Sequence, residues 1–221
     1  MDKININYVI PMGLRCPTAF FLKQNGLKKT SYPFDWLKMY DLDVVLESLD
    51  DDFESFLDSS NYIDLENPYG RAKMPGCGHT SLTNSRDLFF HRDPRIPSDY
   101  DYFKRCIDRF RLVLEKDHPK LFFASSCFLL NNEDFYNSLI KLNNKLNEIT
   151  SNFHIIGTHY LKNSDLKRNV NIVENDKIKL LEFTINSGMN RKFSQLANKV
   201  DRQYEKKKIL ELYDFKLLDL K

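Results

Sequence analysis

The feature that most constrains this chain is the alternation in its second half. "KLFFASSCFLL" (120–130), "FHIIGTHYL" (153–161) and "KIKLLEFTI" (177–185) are apolar runs of strand length. Between the first two stands "NEDFYNSLIKLNNKLNEI" (132–149), whose apolar residues recur at helical spacing behind a capping Asn132. A strand that returns to its sheet through a helix arrives parallel to its neighbour, because an antiparallel return needs only a tight turn. The pattern therefore predicts an α/β fold, a single domain over 1–221 with a mostly parallel central sheet flanked by helices. Its strands are expected at 6–13, 120–130, 153–161 and 178–185. "NVNIVEN" (169–175) reads as one more strand, and 190–215 as a helical close.

The first half opens with the same grammar. "INYVIPMG" (6–13) reads as a buried strand broken by Gly13. Pro17 suits the first position of a helix, so "PTAFFLKQNG" reads as a helix with Cys16 at its N-cap and Gly26 at its C-cap. Leu42, Val45, Leu46, Leu49, Phe53 and Phe56 give a second helix over 41–58, and 101–117 a third that buries Cys106. Residues 61–100 hold four of the eight prolines and three of the seven glycines, which predicts a long irregular region with one short strand, "LFFH".

Composition excludes several classes. With 33 basic against 31 acidic residues, the chain has no excess charge to drive nucleic-acid binding. No stretch approaches the ~20 apolar residues of a membrane span, and the N-terminus has no signal-peptide core. The expectation is a cytoplasmic protein, and the Lys-, Asn- and Ile-rich usage points to an AT-rich genome. Four cysteines without CxxC pairing read as free thiols. Cys77, His79 and His91 are too scattered for a structural zinc site, and neither a P-loop nor GxGxxG is present, so no metal and no cofactor is expected.

Cys16 is the sharpest chemical candidate. A helix N-terminus stabilises a thiolate, and its amides can hold an oxyanion. Arg15 would add positive charge. The competing reading is a small buried residue closing a strand–helix turn. A cysteine nucleophile needs a base, usually an imidazole. His91 leaves an apolar strand for a turn, with Asp93 within reach to orient it; His159, at a strand end, is its rival. In "SYPFDWL" (31–37) bulky neighbours should bury Asp35, as a partner of the site or as a helix cap. Arg15, Arg92 and His159 are the candidates for contacting substrate.

The opening stretch also resembles a known family. "IPMGLRCPTAFFLKQNGLKKTSYPFDWL" is similar to the N-terminal pattern of bacterial, algal and large-virus proteins described as "putative papain-like cysteine peptidases". Gly13, Cys16, Gly26, Leu27, Ser31, Pro33, Phe34, Asp35 and Trp36 carry the likeness; "LFFHRD" and "YFKRCIDRFRLVL" extend it. The resemblance implies Cys16 as nucleophile, His91 as base and Asp35 or Asp93 as third member. It also implies an alternative fold, a papain-like α+β domain with a helix against an antiparallel sheet. Three functions stay open: a cysteine hydrolase or acyl-transfer enzyme; a Rossmann-like transferase or ligand-binding module, with glycans as one ligand class; and a non-catalytic interaction domain using 61–100. The substrate and the oligomeric state are not legible.

Overall fold

A computed structural model describes residues 3–65, 76–82, 88–190 and 195–220. Its central sheet contains β2 (Tyr8–Pro11), β5 (Lys120–Ser125), β6 (Phe153–Lys162), β8 (Ile178–Ile185) and β7 (Asn169–Asn175), in that spatial order. The first four run parallel, with Val9 beside Leu121, Phe123 beside Ile156 and Thr158 beside Leu181. β7 closes the far edge antiparallel to β8. The sheet is the mostly parallel one expected, and the antiparallel papain-like layout does not form. The reason is covalent: α5 (Asn132–Ile149) lies between β5 and β6, and such a crossover delivers parallel strands.

Each face of the sheet carries its own core. Ile10, Phe122, Ala124, Ile155 and Leu180 pack against α5, α2 (Asp43–Asp50) and α4 (Pro97–Leu114). Val9, Leu121, Phe123, Ile156 and Phe183 face α1 (Cys16–Gln24) and α6 (Lys199–Leu210). Every side chain of β5 is buried, as a strand covered on both faces requires. β1 (Ile4–Ile6) pairs in parallel with Tyr213–Phe215, and β3 (Tyr62–Asp64) pairs antiparallel with β4 (Cys77–His79).

Several elements depart from their expected bounds for local reasons. β5 ends at Ser125, because Cys127 and Phe128 turn the chain with positive φ. The helix read over 41–58 is cut by Asp52 and Phe53, also at positive φ, into α2 and a single turn, α3 (Glu54–Leu57). Asn131, not Asn132, caps α5, its Oδ1 accepting from Asp134 N at 2.9 Å. "LFFH" forms only a bridge between Phe89 and Cys77. Before α6 the chain makes a two-residue pairing of Met189–Asn190 with Gln195–Leu196 in place of helix. The expectations for 66–75 and 83–87 lie outside the described residues. Among the described residues no helix is long and apolar enough to cross a membrane.

Candidate active site

Beyond β2 the chain keeps pairing with β5. Met12 N donates to Phe123 O at 2.8 Å, Ser125 N to Gly13 O at 2.9 Å, and Leu14 N to Ser125 O at 3.2 Å. Gly13 then turns the chain at φ +92, a conformation that costs glycine least. The Thr18 hydroxyl donates back to Gly13 O at 2.7 Å, fixing the turn against the helix it starts. Arg15 is the N-cap of α1 and Cys16 the first helical residue, one position inside the expected cap. Cys16 thus stands where the parallel strands β2 and β5 deliver their carboxyl ends, the usual location of sites in open α/β sheets.

The four thiols differ in exposure. Cys16 is half-buried, whereas Cys77, Cys106 and Cys127 are buried. Burial pushes the Cys127 thiol up to about 11 and the Cys77 thiol up to about 12, and it raises Cys106 as well. Cys127, on the turn after β5, feels the charges of both Cys16 and Arg15, which places it beside them.

The segment 36–40 links the Cys16 turn to the chain that leads into His91. Met39 N donates to Leu14 O and Lys38 N to Leu88 O, each at 2.9 Å. His91 is exposed and sits edge-on to Trp36, with ring centroids 5.8 Å apart, and to Phe90 at 4.9 Å. Partial desolvation lowers the pKa of this imidazole, which favours the neutral, proton-accepting form at neutral pH. Arg15 lies over the Tyr40 ring, 5.1 Å from its centroid.

The remaining candidates have partners of their own. Arg95 engages both oxygens of Asp93, at 2.8 Å to Oδ1 and 2.6 Å to Oδ2. Its hold keeps that carboxyl below the usual range. Arg92 pairs with Asp99 at 2.7 Å and lies over Tyr102. Asp35 is buried and forms an ion pair with the equally secluded Lys28. Lys28 is the chief partner of this carboxylate, with the Tyr32 backbone and Ser31 contributing beside it. Burial pushes this carboxyl up to about 6, opposed by Lys28. Trp36 is only half-buried. His159 is buried on β6, with Nδ1 at 3.0 Å from Ser126 Oγ.

The comparison with known families follows this geometry. The family model described as "Putative papain-like cysteine peptidase (DUF1796)" matches residues 7–158. The chain belongs to this family. The matched span includes Arg15, Cys16, Asp35, His91, Arg92 and Asp93, and it stops one residue short of His159. No curated protein and no solved structure matches the chain.

Residues that the sequence did not mark also meet near α1. Cys127 is one; Tyr160 and Glu205 are two more, hydrogen-bonded to each other in the interior. A signal for Glu205 existed: Asp201, Glu205 and Ile209 recur every fourth residue and form the buried stripe of α6.

Proposed function

We propose that this protein is a cysteine-dependent hydrolase acting on an amide, ester or thioester. Membership of the family supports it at the level of class. The observation that carries the residue assignment is the contrast among the thiols. Cys16 alone of the four escapes full burial, and it does so at the open N-terminus of α1. There the helix dipole favours the thiolate over the thiol.

In this reading His91 accepts the proton of Cys16 Sγ, and the thiolate adds to the carbonyl carbon. The oxyanion forms at the N-terminus of α1, where the Cys16 amide is placed to meet it, since Pro17 has no N–H and the Thr18 N–H donates to Arg15 O at 3.1 Å. The imidazolium returns its proton to the departing amine, alcohol or thiol, leaving an acyl-enzyme. Water, deprotonated by the same imidazole, then adds to the thioester, and Cys16 leaves as the thiolate. Trp36 orients the imidazole by its edge-on contact. Asp35 and Asp93, each held by a cation, act as positioning residues for the segments that carry Trp36 and His91. Arg15 stands ready to contact a carbonyl or carboxylate of the substrate.

The test is an electrophilic acyl probe applied to the full chain, with mass spectrometry to locate the adduct. Labelling at Cys16 that disappears in Cys16→Ser, with the fold retained, is expected. Equal labelling of wild type and Cys16→Ser would overturn the assignment. A second reading, a ligand-binding module, draws support from the parallel sheet and from a cavity beside α1.

A further inference from the structure

That cavity encloses about 250 Å3 between α1 and α6, above the carboxyl ends of β5 and β6. Phe123, Ser125 and Tyr160 reach it from the sheet, and Phe21 and Leu196 give it apolar walls. A volume of this size fits a single amino acid or a side chain.

Its charges are arranged by depth. Glu205 is the one acidic residue among the described lining residues, and it is only 6 % exposed. Its Oε1 accepts from the Tyr160 hydroxyl, which also bonds Thr158 Oγ1 at 3.0 Å. Among the described residues no cation forms an ion pair with it. Arg202, which also lines the cavity, donates instead to Leu196 O at 2.6 Å and Ala197 O at 3.0 Å. Lys199 and Lys206 line the same cavity but are exposed, at its outer edge.

A buried carboxyl without a counter-ion is costly unless it holds a proton or meets a cation. Burial indeed pushes Glu205 up to about 7. A ligand cation could take the place of that proton. Apolar walls suit an aliphatic stem, and two exposed lysines suit an anion at the other end. The chemistry asked for is a cation and a carboxylate joined by a short hydrocarbon chain.

We propose that this cavity is a binding site for a basic amino acid, with its side-chain ammonium or guanidinium on Glu205 and its carboxylate toward Lys199 and Lys206. The site stands apart from any chemistry at Cys16, although Pro17 and Thr18, which follow Cys16, line it.

The experiment is calorimetric titration of the full chain with L-lysine and L-arginine, beside L-norleucine, which keeps the stem and carboxylate but lacks the cation. At least one basic amino acid should bind at millimolar concentration or better, and norleucine should not. Glu205→Gln preserves the acceptor for Tyr160 and removes the charge. It should weaken binding at least about tenfold, as loss of a charge-assisted contact implies. Binding of neither basic amino acid, norleucine binding as tightly as lysine, or unaltered affinity in a folded Glu205→Gln would each overturn the proposal. The wild-type comparison of lysine with norleucine decides the matter even if the variant fails to fold.

Discussion

Lys28 and Asp35 form an ion pair from which water is nearly excluded, their side chains 7 % and 1 % exposed. Ser31, inside the loop this pair closes, receives Arg109 Nε of α4 on its carbonyl at 3.0 Å. The pair thus pins the excursion after α1 onto the helix layer. Asp35→Ala should leave a buried ammonium unmatched and cost about 3 kcal/mol. For a chain of this size that is a fall in Tm of roughly 10 °C. The double variant Lys28→Met, Asp35→Ala should recover part of the loss. An unchanged Tm in Asp35→Ala would contradict the role given to the pair.

Two buried carboxyls make stability fall with rising pH. Asp35 is raised to about 6 and Glu205 to about 7, both chiefly by burial. The folded state therefore keeps protons that the unfolded chain has already released. Their contribution is complete below the ordinary carboxyl values and is lost as pH rises through about 4 to 7. Tyr160 from β6, Cys127 from the turn after β5, and Arg202 and Lys206 on its own helix surround Glu205. Glu205→Gln should remove its share of the slope, on the order of 3 kcal/mol. Thermal melts across this window, variant against wild type, measure it. Parallel curves would refute the burial argument.

Cys16 should react far ahead of the other thiols. Cys77 and Cys127 are raised to about 12 and about 11, so their thiolate fraction at neutral pH is at least roughly 100-fold below that of an ordinary thiol. Iodoacetamide on the native chain should modify Cys16 first, and Cys16→Ser should stay unlabelled until denaturant is added. Faster modification of Cys106 would remove the physical basis for the nucleophile.

His91 and His159 separate by kinetics. If His91 is the base, His91→Gln should lower Cys16-dependent acylation by about 10²–10⁴-fold. The acid limb of the rate profile should lie below the ordinary histidine range, since desolvation lowers this imidazole. His159→Gln removes a buried bond to Ser126 and should cost about 1 kcal/mol of stability with the rate preserved. The reverse pattern would transfer the base to His159.

Much of this was legible before any coordinates. The strands at 120, 153 and 178 announced themselves because a sheet covered on both faces needs unbroken apolar runs, and a run is a local signal. Gly13 and Pro17 similarly marked where β2 yields to α1. What stayed hidden were relationships between distant residues. Nothing around Asp35 identifies Lys28, seven residues earlier, as its partner, and nothing in β6 points to Glu205 of α6 as the partner of Tyr160. In "YEKKKILELY" (204–213) three lysines outnumber the two glutamates, which suits a solvated face, yet the spacing of four from Asp201 to Ile209 turns Glu205 inward. The positive φ at Phe53 and Cys127 broke elements that composition alone would have continued.

The Cys16 turn itself depends on the missing side chain at Gly13. Its φ of +92 disfavours any L-residue, and a Cβ there would collide with the Met39 Cε methyl. That methyl ends a flexible side chain, but Met39 is fully buried, so it can yield only by repacking the core around it. Gly13→Ala should therefore cost about 1–3 kcal/mol through strain and overpacking. It should also displace Leu14, Arg15 and Cys16 together and slow iodoacetamide labelling of Cys16. Gly26→Ala is the matched control. Gly26 also has positive φ, at +71, but a Cβ there meets nothing within 4 Å. It should bear only the backbone strain, about 1 kcal/mol, and leave Cys16 labelling at the wild-type rate. If both variants slow labelling equally, global loosening of α1 explains the effect, and the contact between Gly13 and Met39 does not hold the turn.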